Sequence, residues 1–135
     1  CAVLNLASKH GEKNMVPFNT KKVKKTWGYE IWLANNEKES YCGKILFIED
    51  GCNTSMHYHI NKHETFYVLD GTLRVDMLRD RNKPDAHPFT MTVKQGESME
   101  MEREQAHSLI ASNGDLTLLE ISTFHEDSDS KRLYR

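Results

Sequence analysis

Between Gly51 and Gly71 the chain reads GCNTSMHYHINKHETFYVLDG, which gathers His57, His59, His63 and Glu64 into one short stretch. His57 and His59 are separated by a single residue. In a β-strand, side chains two apart leave the same face, so this spacing sends two imidazoles into one space. Packing two imidazoles and a carboxylate into an apolar wall is costly unless each finds a partner. A metal ion would serve all three, and a further imidazole downstream of Val93 is available to strengthen the set. A lone His is more often packed or solvated than ligating, and His87, in a polar loop, is expected to be solvent-exposed. Cys52 lies near the His pair and could act as a soft ligand, although a buried structural Cys is the commoner role.

Strands must hold these side chains. Glu64 begins an apolar-rich run, Thr65 to Leu69, and Asp70-Gly71 supplies a pair suited to a tight hairpin turn with positive φ. The next run, Thr72 to Leu78, puts Leu73, Val75 and Met77 on one face and Arg74 and Asp76 on the other. This pattern predicts a β-meander carrying the two His and the Glu on its inner wall. Upstream, Trp27, Tyr29, Ile31 and Leu33 alternate with Glu30 and Trp32, and Lys44 to Ile48 forms another strand ended by Glu49-Asp50-Gly51. The polar segment from Arg79 to Pro88 reads as a surface loop joining two halves. Phe89 to Val93, Ser98 to Met101, His107 to Ala111 and Leu116 to Ser122 follow, with Gln95-Gly96 as a turn and Asn113-Gly114 as a hairpin turn. Short strands at close spacing predict an all-β fold, an antiparallel sandwich or small barrel. The expected division is an arm over 1–24, a barrel over 25–124 and a tail over 125–135.

With 135 residues the chain suits one domain with a real core. Its 18 basic and 20 acidic residues leave a net charge of −2, which excludes a global field drawing it to nucleic acid or membrane. The basic run Lys21 to Lys25 has little aromatic interleaving and reads as a solvated face that could also attract an anionic substrate. No apolar run approaches the ~18 residues of a membrane helix. The opening Cys1 to Ala7 is too short, and lacks the basic residues, for a signal peptide. It has no initiator Met, as a fragment of a longer chain would not. Three cysteines, odd in number and without a CxxC, are expected of a reduced, cytoplasmic protein.

The residues now resemble a known family. The first motif of the cupin superfamily has the form G-x5-H-x-H-x3–4-E-x6-G, and Gly51, His57, His59, Glu64 and Gly71 fill every position. The second motif, G-x5-P-x-G-x2-H-x3-N, is met by Gly96 and His107, while Glu102, Glu104 and Ala111 stand at its Pro, Gly and Asn positions. The resemblance implies a cupin-type jelly-roll barrel and a metal held by His57, His59, Glu64 and His107. More narrowly, Trp27-Gly28-Tyr29-Glu30 and the closing stretch from Glu120 to Arg132 look like the ends of the type II mannose-6-phosphate isomerase cupin domain. Lyxose isomerase-like cupins similarly carry two His in the first motif. The likeness implies a substrate-handling role for Arg132, a small-molecule, carbohydrate partner and, as in many cupins, a homodimer.

Three imidazoles and one carboxylate are borderline in hardness and suit Mn, Fe, Co, Ni or Zn. They leave about two positions of an octahedron for substrate oxygens. A divalent ion there would polarise a carbonyl and acidify the neighbouring C–H. A carboxylate or Lys could then carry the proton between the two carbons. Glu120, on a strand entering the barrel, and Lys44, at the start of another, are the candidates; Glu30 is weaker because it alternates away from Trp27 and Tyr29. The leading expectation is a metal-dependent sugar or sugar-phosphate isomerase. An Fe(II)-dependent dioxygenase and a non-catalytic carbohydrate-binding cupin use the same ligands.

Overall fold

The computed structural model describes residues 15–135. Eleven strands occur in them: β1 (Lys21–Lys25), β2 (Gly28–Asn36), β3 (Tyr41–Ile48), β4 (Met56–His59), β5 (Glu64–Asp70), β6 (Thr72–Met77), β7 (Phe89–Lys94), β8 (Ser98–Met101), β9 (His107–Ala111), β10 (Leu116–Ser122) and β11 (Ser130–Tyr134). One sheet runs β1-β2-β3-β10-β5-β8 and the other β11-β4-β9-β6-β7, with antiparallel neighbours throughout. The all-β sandwich expected from the strand pattern is borne out. No helix of the described residues is long and apolar enough to cross a membrane.

Alternation along the strands puts the core between the sheets. Leu46, Ile48, Phe66, Val68, Leu116 and Leu118 from the first sheet meet Leu73, Val75, Leu109 and Ala111 from the second, all buried. Full burial of each larger side chain stabilises by about 1.5–3 kcal/mol. The same inward rows turn polar at one end. Lys44 continues the row of Leu46 and Ile48, Glu64 that of Phe66 and Val68, and Glu120 that of Leu116 and Leu118. One end of the sandwich is therefore a dry plug and the other a polar chamber.

The meander and its hairpins are corrected by this topology. β5 lies in the first sheet and β6 in the second, so Asp70-Gly71 carries the chain across the core. Gln95-Gly96, between β7 and β8, and Asn113-Gly114, between β9 and β10, do the same. The strands flanking these turns bury apolar side chains, and alternating sheets lets successive strands bury them against each other rather than side by side. The segment from Arg79 to Pro88 does not join two halves; it links β6 to its antiparallel neighbour β7. β1 pairs with β2 and β11 with β4, so each sheet includes a strand from the expected arm or tail. Residues 1–14 lie outside the described part.

Gly71 shows what a crossing demands. Its φ is +91°, and a Cβ there would run into the backbone carbonyl of Asp115. Gly114 has φ +101° but open space around it. Gly71→Ala is expected to destabilise the protein by more than 3 kcal/mol, strain and collision together, against about 1–2 kcal/mol for Gly114→Ala, which has strain alone. Urea unfolding midpoints of the two variants check this ordering.

Candidate metal centre

β4 lies between β9 and β11, with His57 opposite His107 on one side and Arg132 on the other. This register sets the rings of His57 and His107 4.6 Å apart between centroids, and those of His57 and His59 5.0 Å apart. One ligand nitrogen from each of His57, His59 and His107 lies within 4.8 Å of the others. β5 faces them from the opposite sheet and brings Glu64, with Oε2 3.3 Å from His107 Nε2 and Oε1 3.6 Å from His59 Nε2.

The donor set fits a divalent metal. His57 Nδ1 lies 2.7 Å from the Ser55 carbonyl and His107 Nδ1 2.9 Å from that of Gln105. An N–H donated to each carbonyl fixes the tautomer and leaves the Nε2 lone pairs free. His107 Nε2, His59 Nδ1 and Glu64 Oε2 are buried without any hydrogen-bond partner. Such orphaned atoms call for an explanation, and a cation among them supplies one. Burial, with the other imidazoles adding to it, lowers His57 to about 3. Burial likewise brings His59 to about 4 against the pull of Glu64. Both are therefore in the neutral form that ligates. Glu64 is held well below the ordinary carboxylate range: burial opposes this, but Lys62 and the imidazoles outweigh it.

A second polar cluster borders the first. Lys62 Nζ contacts Glu64 Oε1 at 3.0 Å, Glu120 Oε2 at 2.8 Å and His125 Nδ1 at 3.0 Å. The two carboxylates hold Lys62 above its ordinary value despite burial, whereas burial and the neighbouring Glu64 push Glu120 up. One ammonium can neutralise only one of the pair, so the two acids are driven apart. On β3, Lys44 sits opposite Glu120 in the ladder and lies 3.6 Å from Glu30 Oε1, which also accepts from Trp32 Nε1 at 2.9 Å.

Both clusters open on one cavity of about 450 Å³. Lys44 and Glu120 line it together with His57, His59, Glu64 and His107, while Arg132 stands exposed at its rim. Glu30, expected to face away, lines it as well. The face of β2 that enters the sandwich is that of Glu30; Tyr29 lies on the other and stacks on Phe47 at 5.1 Å. His63 turns outward to Glu100 at 2.9 Å, and His87 is exposed. Cys52 packs against the apolar core and is not a member of the imidazole cluster. Cys42 and Cys52 are free thiols.

The sequence reading missed Lys62, His125 and Asp129. Asp129, in the short 3-10 turn Asp127–Asp129, accepts from the backbone N–H groups of Ile60, Asn61 and Lys62 at 3.0–3.3 Å. It thereby fixes the loop that aims Lys62 inward. These residues sit in connections with no period to read. Only the two-residue spacing of Lys62 and Glu64 hinted at a shared face.

In the metal-free protein His57, His59 and His125, the last lowered to about 4 by burial and the two lysines, stay neutral well below the ordinary 6.5. The unfolded chain protonates each near 6.5, so it binds more protons between that value and about 4. Stability is then full above pH 6.5 and falls as the pH drops, by up to about 1.4 kcal/mol per pH unit for each imidazole. Urea unfolding of the metal-free protein at about pH 7 and about pH 5 measures the slope. Separately, His59→Ala is expected to empty the site, which elemental analysis after dialysis against Zn²⁺ reads directly.

Among solved structures, the chain is similar to the capsular polysaccharide assembling protein CapF from Staphylococcus aureus, with a TM-score of 0.73 and 14% identity over 88% of this chain and 35% of that one. A tryptophan-to-tyrosine variant of oxalate decarboxylase from Bacillus subtilis aligns with a TM-score of 0.71 and 17% identity over 85% of this chain and 30% of that one. KdgF from Halomonas sp. aligns at 0.63 and 13%, over 82% of this chain and 90% of that one. At these identities the likeness is one of fold. The chain spans about a third of the length of the first two proteins. A search of curated proteins finds no match. A family model described as the cupin domain matches residues 45–122, a span that contains all three clustered imidazoles, Glu64 and Glu120. On that match, over more than half its length, the chain belongs to the cupin family.

Proposed function

We propose that this cupin is a divalent-metal-dependent enzyme that acts on a sugar or sugar phosphate and moves a proton between the carbonyl carbon and its neighbour, as an aldose–ketose isomerase does. The observation that carries this reading is that the imidazole–carboxylate cluster and the Lys44–Glu120 pair face one cavity. His57, His59, Glu64 and His107 would hold the metal. A bound divalent ion supplies Lewis-acid polarisation of a carbonyl. Glu120 is the proton carrier: burial and Glu64 raise it toward the range where a carboxyl both takes and returns a proton. Lys44, lowered by burial, faces the same space and can donate to a substrate oxygen.

Charge at the rim supports a phosphorylated substrate. Lys24 and Lys25 of β1 and Arg132 and Arg135 at the C-terminal end line the mouth of the cavity, and among the described residues none of the four forms an ion pair with a carboxylate. Arg in particular suits the oxygens of a phosphate. The resemblance of Trp27-Gly28-Tyr29-Glu30 and of the stretch from Glu120 to Arg132 to the type II mannose-6-phosphate isomerase domain agrees with this class of substrate. CapF, a capsular polysaccharide assembling protein, is a further carbohydrate context on the same fold.

The test is an exchange assay in D₂O with metal-loaded protein and a panel of pentoses, hexoses and their phosphates. Deuterium is expected at the carbon next to the carbonyl, and Glu120→Gln is expected to lower the exchange rate by about 10²–10⁴ while metal content stays the same. Absence of exchange across the panel would sink the isomerase reading. Consumption of O₂ by the Fe(II)-loaded protein would point to the dioxygenase, and a sugar bound but returned unchanged to the binding module.

A further inference from the structure

We infer that Lys62 divides the two oxygens of Glu64, keeping Oε1 for itself so that the carboxylate meets a metal through Oε2 alone. The inference rests on the metal reading of the imidazole cluster and adds to it a positioning residue that the proposed chemistry does not otherwise use. Lys62 Nζ lies 3.0 Å from Oε1, while Oε2 is buried, points toward His107 Nε2 at 3.3 Å and has no hydrogen-bond partner. The nearest imidazole nitrogen to Oε1 in the ion-pair geometry, His59 Nε2, stands at 3.6 Å, too far for a hydrogen bond. The two oxygens of one carboxylate are thus in different situations, one satisfied and one waiting.

Lys62 cannot readily give up its oxygen. An ammonium has three N–H donors, and these three are matched by Glu64 Oε1, Glu120 Oε2 and His125 Nδ1 at 3.0, 2.8 and 3.0 Å. The residue is 3% exposed, so no water replaces a lost partner cheaply. Its backbone is pinned as well, because Asp129 takes the N–H groups of Ile60, Asn61 and Lys62. Turning Glu64 to offer both oxygens to a cation would leave a buried charge short of a partner. The consequence concerns substrate. Three imidazole nitrogens and one oxygen leave about two positions of an octahedron open, whereas a Glu64 that chelated would leave about one. Lys62 therefore sets whether a hydroxy-carbonyl unit can be gripped through two oxygens.

The test is carboxylate infrared spectroscopy of protein carrying ¹³C-labelled Glu, with and without Zn²⁺, using Glu64→Gln to assign the band. In the wild-type protein the gap between the asymmetric and symmetric stretches of Glu64 is expected to widen when Zn²⁺ binds, the signature of one-oxygen ligation. In Lys62→Met it is expected to narrow, and in Lys62→Arg, which keeps the cation, to stay wide. A narrowed gap in the wild type, or a Lys62→Met variant that folds and keeps the wide gap, overturns the inference. If the Met variant does not fold, a narrowed wild-type gap still overturns the inference. Protein that takes up no Zn²⁺ on dialysis instead overturns the metal reading beneath it.

Discussion

An ammonium shared between two buried carboxylates is the interaction on which the site depends. Glu64 and Glu120 are each 3% exposed, and ionised acids so placed are untenable without a partner. Lys62 reaches both, and the second lysine, Lys44, is drawn to Glu30 and stacks its ammonium over Trp32 at 4.2 Å. Two lysines thus face three buried or nearly buried acids, and the imidazoles beside them are neutral. The chamber is left with the ionised carboxylate of Glu64 and with imidazole lone pairs beside it. Both features favour a cation, and they arise from packing before any ligand arrives.

The fold makes this arrangement tolerable by separating it from the apolar core. Along β3, β5 and β10 the inward positions run from Ile48, Val68 and Leu116 at one end to Lys44, Glu64 and Glu120 at the other. A single alternation therefore builds both the plug that stabilises the protein and the chamber that would do chemistry. The crossing between β4 and β5, over residues 60–63, brings the His-bearing sheet over the Glu-bearing one, and those at Gly71, Gly96 and Gly114 continue the alternation. At the far edge, β11 pairs with β4, and the turn before it delivers Asp129 to the loop between His59 and Glu64. β11 and the turn before it are part of the site's scaffold.

Much of this was legible in residue spacing because strand periodicity is local. Two His one residue apart must share a face of any strand that contains them, and Leu73, Val75 and Met77 must share another. Glycine after a polar residue announces a turn for the same local reason. Whether such a turn makes a hairpin or a crossing is not local: positive φ serves both, and the outcome depends on which strand receives the next ladder of hydrogen bonds. That is why the meander expected around Asp70-Gly71 became a passage between sheets. Glu30 was misjudged in a related way, since alternation says which residues share a face but not which face turns inward.

By itself, then, the sequence determined the all-β alternation, the His57–His59 pair and the positions of the turns, because each follows from geometry within a few residues. The tertiary structure alone decided that Glu64 and Glu120 share Lys62, that His125 completes its contacts and that Asp129 locks its loop. Glu120, His125 and Asp129 lie about 60 residues from Lys62 along the chain, as the 63-residue separation of Lys62 and His125 shows, and burial, not proximity in sequence, obliges them to pair.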